Sequence, residues 1–147
     1  MKLKPTLAAL MLTCLGVGAV VAADEPQVVR QEMMKKVGGA MGAMGAMAKG
    51  EKPYDAEVVK ASLTTIADIA KVFPDHFPDG TETGLDTEAS PKIWENRADF
   101  KAKADALGAA ATAQLASVPV DVAGLGPVIK AVGGTCGDCH QTYRLKK

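Results

Sequence analysis

Two cysteines and a histidine near the end of the chain have the spacing of a cofactor attachment site. Cys136, Cys139 and His140 form a Cys-x-x-Cys-His run. At about 100° per residue on a helix, their side chains fall within about 100° of arc. Each thiol can then add to one vinyl group of the same porphyrin, while the imidazole reaches the iron from that side. The run predicts one covalent haem c, with His140 as the proximal axial ligand of the iron.

Other roles for a cysteine pair fit this sequence less well. A thioredoxin-like redox pair needs strand–helix alternation around it, and the sequence has none. A zinc site needs further ligands, but no second cysteine pair exists and the other histidine is His76, in a predicted loop. A disulfide between residues three apart on a helix has poor geometry.

The methionines of the first predicted helix are candidates for the other axial position. Methionine there gives six-coordinate, low-spin iron suited to electron transfer, whereas an apolar residue leaves iron that can bind NO or CO. Spacing alone does not choose between Met33 and Met34. Arg30 lies four residues before Met34, where a cation could pair with a haem propionate, which favours Met34. Each methionine could instead fill the core, and those at 41, 44 and 47 could hold Cu(I).

The first 23 residues have the three parts of a secretory signal. Lys2 and Lys4 precede an apolar run over 7–21, and small residues stand at 21–23. We expect cleavage after Ala23, which removes Cys14 and leaves 24–147 as one exported domain in the periplasm. The apolar run is short for a bilayer span and no second run follows, so no stable membrane insertion is expected.

Composition favours helices and gives no sign of a nucleic-acid partner. Lys plus Arg and Asp plus Glu both number 17, so there is no basic field for a phosphate backbone. Aromatic residues make up only 4%. The periodicity predicts an all-α chain of four antiparallel helices near 27–49, 55–73, 91–117 and 121–145, with a loop over 74–90.

Local signals mark the ends of these helices and the face that carries the haem motif. Asp55 is a predicted N-cap, Ser90-Pro91 a predicted helix start and Pro119 a predicted stop. Pro127 and the Gly133-Gly134 pair predict interruptions in the fourth helix. On that helix, three residues share the face of the haem motif and are expected to wall the haem edge: Ile129, Val132 and Tyr143.

The order of these features resembles class II cytochromes c, the cytochrome c prime family. The resemblance covers nearly the whole chain after the leader, and only its haem motif is specific alone. It is carried by Arg30-Gln31, Lys49-Gly50, Pro53-Tyr54-Asp55, Pro91-Lys92-Ile93-Trp94, and Cys136 to His140 followed by Tyr143-Arg144.

The resemblance implies a left-handed antiparallel four-helix bundle with haem near one end. It implies that Arg30 lies near a propionate, that Arg144 lies near the proximal histidine, and that Met34 faces the iron as in the low-spin branch. A periplasmic low-spin electron carrier with a redox partner protein is therefore expected, with a high-spin NO- or CO-binding protein as the alternative. No enzymatic activity is expected, and a homodimer is an allowed state.

Overall fold

Four long helices form the framework of the protein. The computed structural model describes residues 25–146, so the predicted signal peptide over 1–23 lies outside the described residues. The long helices are α1 (Pro26–Ala48), α2 (Ala56–Val72), α4 (Arg97–Leu115) and α5 (Leu125–Tyr143), and α3 (Lys92–Glu95) is a single short turn. Within the described range, no helix is both long and apolar enough to cross a membrane. The predicted all-α class is confirmed.

The first two helices begin and end close to the predicted positions. Pro26 occupies the first turn of α1, where its missing N–H costs nothing. The Asp55 side chain accepts hydrogen bonds from the backbone N–H groups of Glu57 (2.9 Å) and Val58 (3.2 Å), so the predicted N-cap of α2 is confirmed. The seven residues between α1 and α2 are short enough to make them antiparallel neighbours.

The prediction of one continuous third helix is wrong. The chain turns once in α3, leaves helical geometry at Asn96 (φ −141°) and restarts as α4. The Asn96 side chain accepts a hydrogen bond from the Asp99 N–H at 3.2 Å, so it caps the start of α4. The helix then ends at Leu115, before the predicted stop at Pro119.

The fourth helix is more regular than its glycines and proline predict. Asp121 caps a short 3-10 turn over Val122–Gly124 through the N–H groups of Ala123 and Gly124. From Leu125 the helix then runs without a break through Pro127 and Gly133-Gly134 to Tyr143. The haem motif therefore lies in the last two turns of a continuous helix, and its side chains keep helical spacing.

One end of the bundle, the closed end, is filled by aliphatic side chains. It comprises the second half of α1, the first half of α2, the end of α4 and the start of α5. Its most deeply buried side chains have no exposed surface: Met44, Val59, Leu63, Ile66, Ala111, Leu125 and Val132. Burial of this apolar surface is the main source of the bundle's stability.

The opposite end, the cavity end, is built around aromatic rings and a long connection. A 3-10 turn over Phe73–His76 and the following loop join α2 to α3. Phe77 and Phe100 pack edge to face with ring centroids 4.7 Å apart, and Phe100 packs against Tyr143 at 5.3 Å. These rings tie the loop to α4 and α5, and they border a large cavity.

Candidate haem site

The cavity at this end is large and lies among the helices that carry the predicted site residues. Its volume is about 840 Å³, within the usual range for a small-molecule or cofactor site. Its walls come from α1, the end of α2, α4, α5 and the 73–93 segment. It brings together seven of the residues named from the sequence as haem ligands or neighbours: Arg30, Met34, Cys136, Cys139, His140, Tyr143 and Arg144.

The two cysteines of the motif line the cavity from α5 as half-buried, free thiols. Cys136 Sγ lies 3.4 Å from the Val132 carbonyl oxygen in the preceding turn. Burial raises the pKa of Cys136 and raises that of Cys139 to about 11. Two protonated thiols one turn apart at the wall of a porphyrin-sized space fit a doubly attached haem.

His140 follows on the same wall, where its surroundings favour the neutral imidazole. Partial burial lowers its pKa, and the positive charge of Arg144 lowers it further. A neutral imidazole keeps a nitrogen lone pair free for a metal. Among the described residues, no cluster of three or more His, Cys, Asp or Glu side chains could hold a bare metal ion. A single imidazole beside two thiols suits an iron that brings its own porphyrin nitrogens.

The α1 wall distinguishes the two adjacent methionines that spacing left open. Met34 and Met41 line the cavity, and Met33 does not. Met34 is half-buried and packs against the aliphatic core, while Met44 and Met47 are buried at the closed end. The Cu(I) reading is weakened because Met41 alone of that group reaches the cavity.

Arg30 is buried, and its charge is held by backbone and hydroxyl oxygens. The side chain is 4% exposed. Its guanidinium donates to the His76 carbonyl (3.1 Å), to the carbonyl and hydroxyl of Thr81 (both 2.9 Å) and to the Thr87 hydroxyl (3.3 Å). It also lies 4.6 Å from the centre of the Phe77 ring, a cation–π distance. Burial lowers the pKa of Arg30. The observed partners of Arg30 thus belong to the loop. Contact between Arg30 and a haem propionate stays a prediction.

Tyr143, the last residue of α5, and Arg144, which follows it, each have a carboxylate partner. The Tyr143 hydroxyl donates to an Asp99 carboxylate oxygen at 2.5 Å, and burial followed by this hydrogen bond raises the pKa of Tyr143 to about 12. Arg144 pairs with Glu88, with 2.6 Å between Arg144 Nε and Glu88 Oε2. Both contacts join the helix of the haem motif to other segments of the cavity wall.

Two of the three residues predicted to wall the haem edge do not reach the cavity. Val132 is fully buried among the helices, and Ile129 packs against the same aliphatic core. Only Tyr143 of that set lines the cavity. The helix has the predicted face, but its first half lies at the closed end, where the neighbouring helices cover that face.

An ion pair beside the haem motif was not predicted from the sequence. Lys103 on α4 lines the cavity and pairs with Asp138, inside the Cys-x-x-Cys run, at 2.6 Å. The hydrogen bond with Asp138 raises the pKa of Lys103. The residues are 35 positions apart, so no helical spacing relates them; only a lysine and an aspartate on predicted neighbouring helices could have suggested the pair.

Comparison with known proteins agrees with this geometry. The family model for cytochrome C' matches residues 25–144. The chain is 56% identical over 147 residues to a cytochrome c-556 from Agrobacterium fabrum, covering 100% of this chain and 99% of that protein.

Solved structures give the same result. A cytochrome c' from Rhodopseudomonas palustris superimposes with a TM-score of 0.79 and 41% identity, covering 85% of this chain and 99% of that one. An NMR-validated structure of oxidized R. palustris cytochrome c556 gives a TM-score of 0.77 at 33% identity, covering 85% of this chain and 99% of that one.

The chain belongs to the cytochrome c' family. The predicted four-helix bundle is confirmed, and so is the predicted cofactor, because proteins of this family carry covalently attached haem c with its iron.

Proposed function

We propose that this protein is a low-spin, monohaem electron carrier with His140 and Met34 as the two axial ligands. The main observation in support of this proposal is that Met34 on α1 and His140 on α5 line the same cavity. The haem supplies a one-electron redox centre. The protein holds the iron, excludes water and sets the potential through ligand choice and burial. Similarity to proteins named cytochrome c-556 supports this assignment over a high-spin gas-binding protein.

The two thiols supply the covalent attachment. Each Sγ forms one carbon–sulfur bond to a haem vinyl group, and the thiol proton goes to the other vinyl carbon, so no oxidant is required. Because Cys136 and Cys139 are one turn apart on a continuous helix, both bonds form on the same side of the cavity. His140 is then the next residue along and is oriented by the same helix.

No enzymatic activity is part of this proposal. A methionine on the sixth position closes the iron to exogenous ligands, and the charged and hydroxyl groups nearest the motif are engaged with the protein, whereas the buried Gln27 Oε1 has no hydrogen-bond partner among the described residues. Arg30 donates to the loop, Tyr143 to Asp99, and Lys103 to Asp138. The cavity thus offers packing and charge compensation rather than an activated nucleophile.

We propose that the protein acts in the periplasm, where it exchanges electrons with a redox partner protein. Cytochrome c' relatives, the secretory pattern over 1–23 and free cysteines reserved for haem support export. A homodimer stays a prediction; Gly39 and Gly42 are exposed on α1 and permit close approach of a second helix. Mass spectrometry of the periplasmic fraction tests export, because the expected species is residues 24–147 plus one haem.

Removal of the Met34 thioether is the direct test. The wild-type oxidized protein is expected to have the weak methionine-to-iron absorption band near the red end of the spectrum and to bind carbon monoxide slowly when reduced. Met34→Ala should lose the band, become high-spin and bind carbon monoxide rapidly. Met41→Ala is the matched control, since Met41 lines the same cavity on the same helix. Persistence of the band in Met34→Ala would assign the ligand to another methionine.

A further inference from the structure

The segment over 76–90, which we call the strap, crosses the cavity end and is bonded to helices on both of its sides. At α1, Gln27 Nε2 donates to the Thr83 carbonyl at 2.9 Å, and Gln31 Nε2 donates to the Leu85 carbonyl at 2.8 Å. Arg30, between them on the same side of the helix, holds the start of the strap. Three side chains from one turn of α1 therefore bind one short segment.

The other end of the strap is joined to the end of α5. The Ser90 N–H donates to the Tyr143 carbonyl at 3.0 Å, and the Leu145 N–H donates to the Glu88 carbonyl at 2.8 Å. The Arg144–Glu88 ion pair stands beside these two backbone bonds. The strap is thus bonded to the chain immediately after His140 as well as to the start of α1.

The conformation of the strap depends on these contacts. Leu85 and Asp86 have positive φ angles of 47° and 54°, a region that non-glycine residues enter only when their surroundings compensate. The Leu85 carbonyl, at one of these two positions, is the acceptor for Gln31. The segment is held in a shape that its residues do not prefer by themselves.

Met34 lies next to the strap-binding turn. It follows Gln31 by three residues and Arg30 by four, so the three side chains are on one side of α1. Gln31, Arg30 and Met34 all line the cavity. The position of this stretch of α1 relative to α5 therefore sets the distance between the two proposed axial ligands, Met34 and His140.

We propose that the strap holds α1 at the distance from α5 at which Met34 binds the iron, with Gln31 and Arg30 as positioning residues. This inference rests on the proposed function. A loosened strap lets the start of α1 move outward, and the sixth position of the iron opens while the haem stays covalently attached. The strap hydrogen bonds therefore set the balance between a closed electron-carrier state and an open, gas-accessible state.

The test uses Gln31, because it is exposed and its loss leaves the core intact. In the purified haem-loaded protein, Gln31→Glu keeps the shape of the side chain and removes the donor to the Leu85 carbonyl. The ratio of methionine-free to methionine-bound iron should rise about fivefold, the factor for loss of one hydrogen bond of ordinary net strength. The red-end band should weaken, and carbon monoxide should bind faster to the reduced form. In the separate variant Gln31→Lys the side chain still has a hydrogen-bond donor, so most of the wild-type band should remain.

Arg30→Lys and Val59→Ala complete the comparison. Arg30→Lys removes several strap bonds at once and should shift the ratio more than Gln31→Glu. Val59→Ala, in the closed end, should lower the denaturant midpoint at least as much as Gln31→Glu without changing the band. A full band in both strap variants would overturn this inference alone, and so would equal weakening in Val59→Ala. Absence of the band from the wild type would overturn the proposed function and this inference together.

Discussion

The two ends of the bundle are held together by different interactions. The closed end is packed with aliphatic side chains such as Leu63 and Ile66, which have no exposed surface. The cavity end has a space of about 840 Å³, aromatic rings packed edge to face and most of the side-chain hydrogen bonds that join distant segments of the described chain. At the closed end, Tyr54 makes one such bond, to the Pro119 carbonyl.

The difference reflects what each end has to hold. Tight packing of aliphatic side chains is non-directional and leaves no room for another group. An end that must keep a cofactor-sized space cannot be stabilised in that way. Directional contacts take over there, and each of them fixes the position of a named segment around the space. Changes at the closed end should therefore alter stability, and changes at the cavity end should alter the haem.

The largest expected effect is loss of the cofactor when both thiols are removed. The Cys136→Ser, Cys139→Ser double variant should carry no haem after acid denaturation, because no carbon–sulfur bond can form. A pyridine haemochrome assay and the mass of the denatured chain measure this. Each single variant is the control and should keep one covalent bond and one free vinyl group. Covalent haem in the double variant would reject the assignment of the motif.

The next largest effect is expected when a leucine is replaced by alanine at each end of the bundle in turn. Leu63→Ala should lower the free energy of unfolding by about 3 kcal/mol, a typical cost for a cavity in a rigid core, and leave the haem spectrum unchanged. Leu107→Ala, at the cavity wall, should cost less because Leu107 is only half-buried, but it should shift the spectrum. Denaturant unfolding and absorption spectra distinguish them. A spectral change in Leu63→Ala would contradict the division between the ends.

The smallest expected effect concerns the two tyrosines, one at each end. Tyr143→Phe removes the hydrogen bond to Asp99 and should cost about 1 kcal/mol at neutral pH, with a small spectral shift. Tyr54→Phe should give no such shift.

The same substitution has a predicted pH dependence. The folded-state pKa of Tyr143 is raised from 10.0 to about 12, so its contribution to stability is complete below pH 10 and is lost as the pH rises toward 12. Unfolding curves at pH 9 and above should show a smaller alkaline loss in Tyr143→Phe than in the wild type. Equal losses would remove Tyr143 as a source of the pH dependence.

Local patterns were sufficient for the parts of the fold that depend on neighbours in sequence. The helix of Pro26–Ala48, the cap at Asp55 and the helical face of Cys136, Cys139 and His140 follow from spacing and side-chain type. The break at Asn96 was missed although asparagine is a good cap, because the apolar spacing continues across it. The Gly133-Gly134 pair led to the wrong prediction of an interrupted helix. The low helix propensity of glycine is outweighed there by the packing of α5 against its neighbours.

Spacings of three, four or seven residues were enough to predict the cofactor, the class of site and the positions of the long helices, but not the break at Asn96 or the continuity of α5. Only the packed bundle shows that Met34 and Met41 reach the cavity, which half of α5 lines it, and what Arg30, Gln31 and Lys103 contact. Those outcomes depend on how helices far apart in the chain pack and on where a long connection crosses them. No local pattern contains that information, because the partners are brought together only when the bundle closes.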